Sequence, residues 1–298
     1  MTECSANSPL GVVGIGLMGT AVTERLLAAG YRPRIWNRFR EEVTGLLAAG
    51  AVWSDCPLTD CRRVIICLYS SDVVNDVLSR WLEQLSPEQS RGQILVDTTT
   101  GDPDHSLQWS QRLAARGAQY LDAPISGSSD QTRRGEATVM VSGDRRSFEA
   151  CDDLWAVLGQ NTFYVGASGN AARMKLVSNL VLGLNRAALA EGLVLAEALG
   201  LDLATTLEVL RGSPAYSRQM DTKGPKMLAS DFAPQARLSQ HLKDVQLMLQ
   251  AAREQGVTLS LTETHRRLLA QAEWLGLGEL DNSAIYRVLR ESSSAGGP

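Results

Sequence analysis

The sequence lacks the features that mark several classes of protein. It has no long run of basic residues, and its formal net charge of -4 gives no general attraction for polyanions, so nucleic acid binding is not expected. It also lacks about 18 uninterrupted apolar residues, the length that a membrane span needs, and its polar start, Met1 to Pro9, is unlike a secretory signal. We therefore expect a cytoplasmic protein without a membrane span.

Cysteine and histidine are also scarce. The five cysteines include no CxxC pair, and the three histidines, His105, His241 and His265, are widely spaced, so neither a disulfide framework nor a metal site is predicted. His241 stands two residues before Lys243 and could line a pocket, but we expect it on the exposed surface of a helix.

The pattern of apolar residues changes once along the chain. From Leu10 to about Val165 short apolar runs alternate with segments of helical period, which predicts βαβ units and a mainly parallel sheet. The predicted strands are Gly11 to Ile15, Arg34 to Trp36, Val64 to Leu68, Ile94 to Asp97, Tyr120 to Asp122, Ala137 to Val141 and Phe163 to Val165. After Gly166 the pattern is helical only. The prediction is an α/β domain over residues 1–166 and an all-α domain over 167–298, whose Ser/Gly-rich end, 292–298, is expected to be disordered.

The first helix of the second domain is predicted to be long and strongly apolar, from Gly169 to Leu199. Further helices are predicted at about 202–211, 238–255 and 261–275. A helix that is apolar on most faces must be covered, so this one should form the core of its domain or a subunit interface. We therefore expect a homodimer or homotetramer.

A glycine motif follows the first predicted strand. Gly14, Gly16 and Gly19 form GxGxxG directly before a helix that is predicted to open at Thr20. In a Rossmann domain the first glycine allows a tight turn, the second lets the backbone approach a pyrophosphate, and the third lets helix and strand pack closely. The pyrophosphate then lies at the helix N-terminus. We predict that this loop, with Leu17 and Met18, binds a dinucleotide in a Rossmann domain.

The end of the second predicted strand indicates which dinucleotide is bound. NAD enzymes place an acidic residue there for the ribose 2′-hydroxyl, but this chain reads Asn37-Arg38. A guanidinium can pair with a 2′-phosphate through its fork of donors. NADP is therefore the predicted cofactor, with Asn37 and Arg38 among its ligands.

Lys175 and Asn179 lie one helical turn apart near the start of the long apolar helix, so their side chains share a face. A lysine on a buried helix can exchange a proton with a reacting carbonyl oxygen. By spacing alone, a lysine that extends to solvent is the commoner arrangement.

The chain resembles the β-hydroxyacid dehydrogenases along almost its whole length. That family includes 3-hydroxyisobutyrate dehydrogenase, tartronate semialdehyde reductase, and the glyoxylate and succinic semialdehyde reductases. The matching segments are Gly14-Ile-Gly-Leu-Met-Gly19, Asp97-Thr-Thr-Thr100 with Pro103, Asp122-Ala-Pro-Ile-Ser-Gly127, Gly169 through Lys175 to Asn179, and His241-Leu-Lys-Asp244.

The resemblance implies roles for individual residues. Lys175 matches the family's general acid/base, and Asn179 matches the asparagine that places the substrate. Ser126 and Gly127 fall in the segment that receives the substrate carboxylate. Thr100 matches a residue near both nicotinamide and substrate, and Lys243 belongs to a late motif that borders the cofactor. The implied activity is NADP-dependent hydride transfer between a small hydroxy acid and its semialdehyde or keto acid.

Three departures from the family pattern leave the substrate open. Ser178 replaces the first asparagine of an Asn-Asn pair, Ser128 replaces a glycine, and Asn170-Ala171 interrupts the glycines before the lysine. One alternative is an NADPH-dependent imine reductase, a class that shares the architecture but usually lacks the lysine. The other alternative is a non-catalytic NADP-binding protein of the same fold.

Overall fold

The computed structural model describes residues 9–294. The start of the chain, on which the argument against a secretory signal depends, and the last four residues of the predicted disordered tail lie outside this range. Contacts divide the chain into two compact units, and the division falls between Lys175 and Leu176.

The first unit contains a six-stranded parallel sheet with the order β3-β2-β1-β4-β5-β6. This is the strand order of the dinucleotide-binding Rossmann fold, and it confirms the predicted α/β class. The strands are β1 Leu10–Val13, β2 Arg34–Trp36, β3 Val52–Trp53, β4 Arg63–Ile66, β5 Ile94–Asp97 and β6 Gln119–Asp122. Strands β1, β4 and β5 are buried throughout, because helices cover both faces of a parallel sheet.

A second, three-stranded sheet has the order β7-β8-β9. Its strands are β7 Ile125–Ser126, β8 Thr138–Val141 and β9 Asn161–Tyr164. Strand β7 runs antiparallel to β8, whereas β9 runs parallel to it. The sequence did not predict β3 and β7, because two-residue strands are too short to show an alternating pattern.

The helices of the first unit connect and cover these strands. They are α1 Leu17–Ala28, α2 Thr44–Ala48, α3 Pro57–Asp60, α4 Ser71–Gln84, α5 Pro87–Ser90, α6 Pro103–Ala114, α7 Ser129–Arg133, α8 Arg145–Glu149 and α9 Asp152–Leu158, with a 3₁₀ helix at Arg40–Val43. The predicted start of α1 at Thr20 was wrong. The helix begins at Leu17 because Gly16 serves as its N-cap, so that Gly19 lies inside its first turn.

The second unit is helical, as predicted, and has its own apolar core. Its helices are α10 Asn170–Ala198, which begins in the first unit, α11 Leu203–Arg211, α12 Arg218–Thr222, α13 Gly224–Leu228, α14 Leu238–Glu254, α15 Ser260–Trp274 and α16 Ile285–Ser294, with a 3₁₀ helix at Asn282–Ala284. Residues 292–294 of the predicted disordered tail belong to α16 instead.

Helix α10 is the long apolar helix of the sequence analysis, and it is covered on one side only. Leu189 and Leu193 are buried in the core, whereas Val177, Val181 and Leu195 are 59%, 53% and 60% exposed. By length and composition alone this helix could cross a membrane, and 39% of its most apolar window is buried.

Candidate functional site

The glycine loop joins β1 to α1 and is held against neighbouring strands. Gly14 has a φ of +90°, and a Cβ there would meet the carbonyl oxygen of Cys67. A Cβ on Gly19 would collide with the carbonyl of Gly14, so both positions require glycine. A Cβ on Gly16, by contrast, would meet nothing within 4 Å. The loop therefore leaves space beside Gly16 for a ligand to approach the backbone.

The start of α1 suits an anion. Gly16 caps the helix without a side-chain hydrogen bond, and the first turn contains Leu17, which is 37% exposed, and Met18, which is half-buried. Unpaired N–H groups and the helix dipole favour negative charge at such an end. These features fit the pyrophosphate of a dinucleotide.

Asn37, directly after β2, connects three parts of this region. Its Oδ1 accepts a 3.1 Å hydrogen bond from the backbone N–H of Ile15 in the glycine loop. Its Nδ2 donates to Glu42 Oε2 at 2.8 Å and to the carbonyl of Phe39 at 3.2 Å. This carboxylate was not predicted from the sequence, because Glu42 is five residues further along the chain and is brought back to Asn37 by the 3₁₀ helix Arg40–Val43.

Two arginines flank this point. Arg38 is exposed beside Asn37, where a 2′-phosphate could reach it. The guanidinium of Arg40 lies 5.2 Å from the ring centroid of Trp53, a cation–π contact. The end of β2 therefore carries charges of both signs.

The N-terminus of α10 is capped by residues of the first unit. Asp122, at the end of β6, accepts hydrogen bonds from the backbone N–H groups of Gly169 at 3.2 Å and Ala172 at 3.0 Å. Ser142 Oγ accepts from Ala171 N at 2.9 Å and itself donates to Asp122. A buried carboxylate thus fixes the helix end from which Lys175 projects.

Lys175 is 6% exposed, and its Nζ donates a 2.7 Å hydrogen bond to the backbone carbonyl of Ile125. Ile125 precedes Ser126 in β7, and Gly127 follows; a Cβ at Gly127 would lie 3.2 Å from Ala137 Cβ. The structure therefore brings Lys175 to the segment that was predicted to receive the substrate carboxylate. A lysine directed to solvent, the commoner arrangement for such spacing, is not found.

The loop that follows β5 carries Thr100, which is half-buried. A Cβ on the next residue, Gly101, would meet Ser71 Oγ, and the N–H of Asp102 donates to the same oxygen at 2.8 Å. The loop is therefore pinned to the first residue of α4. Asp97, the last residue of β5, is buried, and this burial raises its pKa to about 6.

In the second unit Asp244 of α14 gathers two of the predicted residues. Its Oδ2 accepts a 2.9 Å hydrogen bond from Asn179 Nδ2, and its Oδ1 lies 3.4 Å from Lys243 Nζ. Asn179 and Asp244 are 7% and 5% exposed. The buried carboxylate orients the amide of Asn179 and balances the charge of Lys243.

A second buried polar group lies further along α10. His241 was expected on a helix surface, and that was wrong: it is 5% exposed, and its ring centroid lies 5.2 Å from that of His265. A Cβ on Gly183 would come within 2.5 Å of His241 Nε2 and 2.8 Å of His265 Cε1, so only glycine leaves room for both rings. Burial, with a smaller contribution from the charge of Arg186, lowers the pKa of His265 to about 3.

Arg186 is fully buried, and its three guanidinium nitrogens have no hydrogen-bond partner among the described residues. Burial lowers its pKa to about 10, although the charge of Asp281 opposes this shift. Both carboxylate oxygens of Asp281 already accept 2.9 Å hydrogen bonds from Lys223.

A surface pocket of ≈ 310 Å³ lies beside α10 in the second unit. It is lined by Ser178, Val181, Leu182, Asn185, Arg218 and Gln219. Ser178, one of the departures from the family pattern, therefore lines this pocket together with apolar and polar side chains.

The predicted residues form three groups, two in the first unit and one in the second. Lys175 with the Ser126 segment, and the glycine loop with Asn37, are each assembled in the first unit. Asn179 and Lys243 meet at Asp244 in the second. Glu42 and the carbonyl of Ile125 were not predicted from the sequence.

Strand order and glycine loop together define a dinucleotide-binding Rossmann domain, which is followed by a helical second unit. Residues 9–166 match the family model for the NAD binding domain of 6-phosphogluconate dehydrogenase, and residues 169–289 match the NAD-binding domain of NADP-dependent 3-hydroxyisobutyrate dehydrogenase. The chain belongs to the 3-hydroxyisobutyrate dehydrogenase family of NAD(P)-dependent hydroxyacid dehydrogenases.

Among curated relatives, glyoxylate/succinic semialdehyde reductase 1 of Arabidopsis thaliana is 30% identical over 95% of this chain and 99% of its own length. The cytokine-like nuclear factor N-PAC of Homo sapiens is 29% identical over 93% of this chain. The chain spans about half of that relative, 51% of its length.

Solved structures of the same fold include Psf3 in complex with NADP+ and 2-OPP, with 26% identity, a TM-score of 0.86, and coverage of 94% of this chain and 99% of that one. A 3-hydroxyisobutyrate dehydrogenase from Salmonella typhimurium has 23% identity, a TM-score of 0.85, and coverage of 95% and 100%. An imine reductase from Pseudomonas sp. has 25% identity, a TM-score of 0.63, and coverage of 95% and 99%.

Proposed function

We propose that this chain interconverts a small hydroxy acid and its semialdehyde or keto acid by NADP-dependent hydride transfer, with Lys175 as general acid/base. The buried position of Lys175, with its Nζ on the carbonyl of Ile125 next to Ser126, carries the proposal. A proton donor and a carboxylate-binding segment then lie side by side, which is what reduction of a carbonyl in a carboxylate-bearing substrate needs.

The bound nicotinamide would supply or accept the hydride. In the direction of reduction, Lys175 Nζ gives a proton to the substrate oxygen as its negative charge develops; in oxidation it takes that proton back. The hydroxyl of Ser126 and the N–H of Gly127 hold the substrate carboxylate. Asn179, whose amide is oriented by Asp244, places the reacting oxygen.

The residues present fit a dinucleotide at the glycine loop. Gly14, Gly16, Leu17, Met18 and Gly19 would hold the pyrophosphate at the start of α1, where no side chain caps the helix. Asn37 and Arg38 would meet the adenosine ribose and its 2′-phosphate, and Thr100 would border the nicotinamide. Support for NADP comes from exposed Arg38 and from a solved structure of the same fold, Psf3 in complex with NADP+ and 2-OPP.

A panel of substrates tests this function. NADPH consumption would be followed with glyoxylate, succinic semialdehyde, tartronate semialdehyde, methylmalonate semialdehyde and a cyclic imine, each repeated with NADH. We expect turnover with at least one carboxylate-bearing aldehyde and none with the imine. Reduction of the imine alone would replace the proposal by the imine reductase alternative.

The alternatives each have a specific observation behind them. An imine reductase of the same fold is 25% identical to this chain. A relative named as a nuclear factor, N-PAC, matches along most of this chain. This similarity supports the second alternative, a non-catalytic NADP-binding protein of the same fold. Buried Lys175 favours the dehydrogenase.

We also propose that α10 pairs with α10 of a second copy. Its outer face repeats at alternating spacings of three and four residues, the pattern of a helix–helix seam. The residues of this seam are Met174, Val177, Val181, Leu184, Ala188 and Glu191. An antiparallel pair centred near Leu182 would set Arg173 of one copy against Glu191 of the partner subunit. An ion pair of these two side chains would then form at each end of the seam. Val181 also lines the 310 Å³ pocket, which a second copy would cover.

A further inference from the structure

The end of β2 holds a carboxylate that the cofactor proposal does not use. Asn37 donates to Glu42 Oε2 at 2.8 Å while its own Oδ1 accepts from Ile15 N in the glycine loop at 3.1 Å. One amide thus ties the carboxylate of Glu42 to the phosphate-binding loop. In Rossmann folds the ribose 2′-substituent is received at the end of this strand.

We infer that Glu42 is a specificity-determining residue that opposes the 2′-phosphate of NADP and thereby admits NAD to the same site. The inference rests on the proposed dinucleotide site. The carboxylate is one side chain away from Asn37, the residue that would meet the ribose. It can accept a hydrogen bond from a 2′-hydroxyl, but it repels a 2′-phosphate.

The neighbouring charges determine how large this effect can be. Arg38 attracts the 2′-phosphate, while Arg40 is already engaged over the ring of Trp53. Glu42 is exposed, so water screens its charge. Two like charges several ångströms apart in such surroundings change an affinity by about tenfold. Arg38 and Glu42 should therefore nearly offset each other, which leaves a modest preference for NADP.

Glu42→Gln isolates the charge, because a glutamine Oε1 can still accept the hydrogen bond from Asn37. Glu41→Gln is the matched control: it removes an equal charge from the adjacent residue of the same 3₁₀ helix. Each protein would be titrated by calorimetry with adenosine 2′,5′-bisphosphate and with 5′-AMP. These probes report the ribose subsite without any turnover.

We expect Glu42→Gln to bind the bisphosphate about tenfold more tightly and 5′-AMP no more tightly, with less than a twofold change in Glu41→Gln. The tenfold gain should shrink in high salt, because it is a screened charge effect. In kinetics, the ratio of kcat/KM for NADPH to that for NADH should rise by the same factor, through KM rather than kcat.

Equal effects of the two substitutions would overturn the inference, as would a parallel change for both probes or no binding of either. The calorimetry separates this result from the proposed function. A wild-type chain that reduces no aldehyde contradicts the dehydrogenase proposal, but the difference between the two probes still reports on Glu42.

Discussion

The ammonium of Lys175 donates a 2.7 Å hydrogen bond to the carbonyl oxygen of Ile125, inside the first unit. This bond fixes the direction of a long, flexible side chain, because Ile125 belongs to a strand and Lys175 to the first turns of a capped helix. The lysine is therefore held ready beside Ser126 without the help of substrate. A preorganised donor of this kind is what a general acid requires.

Lys175→Ala should lower turnover by at least about 100-fold, since positioned proton donors contribute 10²–10⁴-fold. NADPH binding, measured by fluorescence titration, should change little because the glycine loop is intact. Lys175→Arg should restore little activity, because a guanidinium holds its proton too tightly to act as acid and base near neutral pH. Near-wild-type turnover in the alanine variant would remove this lysine from the mechanism.

Arg186→Met should leave the free energy of unfolding unchanged or raise it by about 1–3 kcal/mol, because the guanidinium is buried without a hydrogen-bond partner among the described residues. Arg63→Met is the matched contrast. Arg63 is equally buried but makes two bonds to Asp153, at 2.5 and 2.9 Å, so its loss should cost roughly 2–4 kcal/mol. Urea unfolding measures both variants, and an equal loss of stability in the two would show that Arg186 is paired in solution.

His265 should make the protein sensitive to acid. Its pKa is about 3 in the folded chain, where burial favours the neutral ring, against an ordinary 6.5. The unfolded chain therefore binds a proton that the folded chain does not, and stability present above pH 6.5 is lost as the pH falls toward 3. Between pH 6.5 and 4 the loss should be roughly 3 kcal/mol.

Unfolding curves at several pH values check this expectation. The loss of stability at acid pH should be smaller in His265→Gln than in the wild type, by the contribution of this ring. An unchanged slope in His265→Gln would mean that the ring is protonated in the folded state.

Val181→Asp should convert the proposed dimer to a monomer at micromolar concentration, because it places a charge in the middle of the α10 seam. Val209→Asp is the control: Val209 is 63% exposed on α11, away from that seam. Light scattering gives the mass of each variant. A wild-type monomer, or a dimer that survives Val181→Asp, contradicts pairing through this face.

Much of the fold follows from local pattern. The parallel sheet is visible as buried apolar runs, and the glycine loop is visible because Gly14 and Gly19 occupy positions that no other residue fits. Lys175 and Ser126 were found through the family resemblance, since nothing in their spacing brings them together.

Other features depend on tertiary contacts that no periodic pattern records. His241 was expected on a surface, but Gly183 on the neighbouring helix leaves room for its ring, and no sequence pattern records that contact. Glu42 was not predicted because its contact with Asn37 depends on the 3₁₀ helix between them, which turns the chain back. The sequence does not indicate which face of α10 is buried, because apolar residues occur on both its outer and its inner face.

The cap on α10 limits how the chain can be divided. Asp122 and Ser142 belong to the first unit, yet they satisfy the N–H groups of residues 169, 171 and 172 at the head of a helix whose remaining length forms part of the second. A fragment that starts at Leu176 would leave this cap and the first turns behind, and its exposed helix end would fray. Chimeras that exchange the helical half between family members should therefore be joined inside α10, after the capped residues, and should keep Asp122 and Ser142 from the same parent as those residues; otherwise the helix end that carries Lys175 loses order.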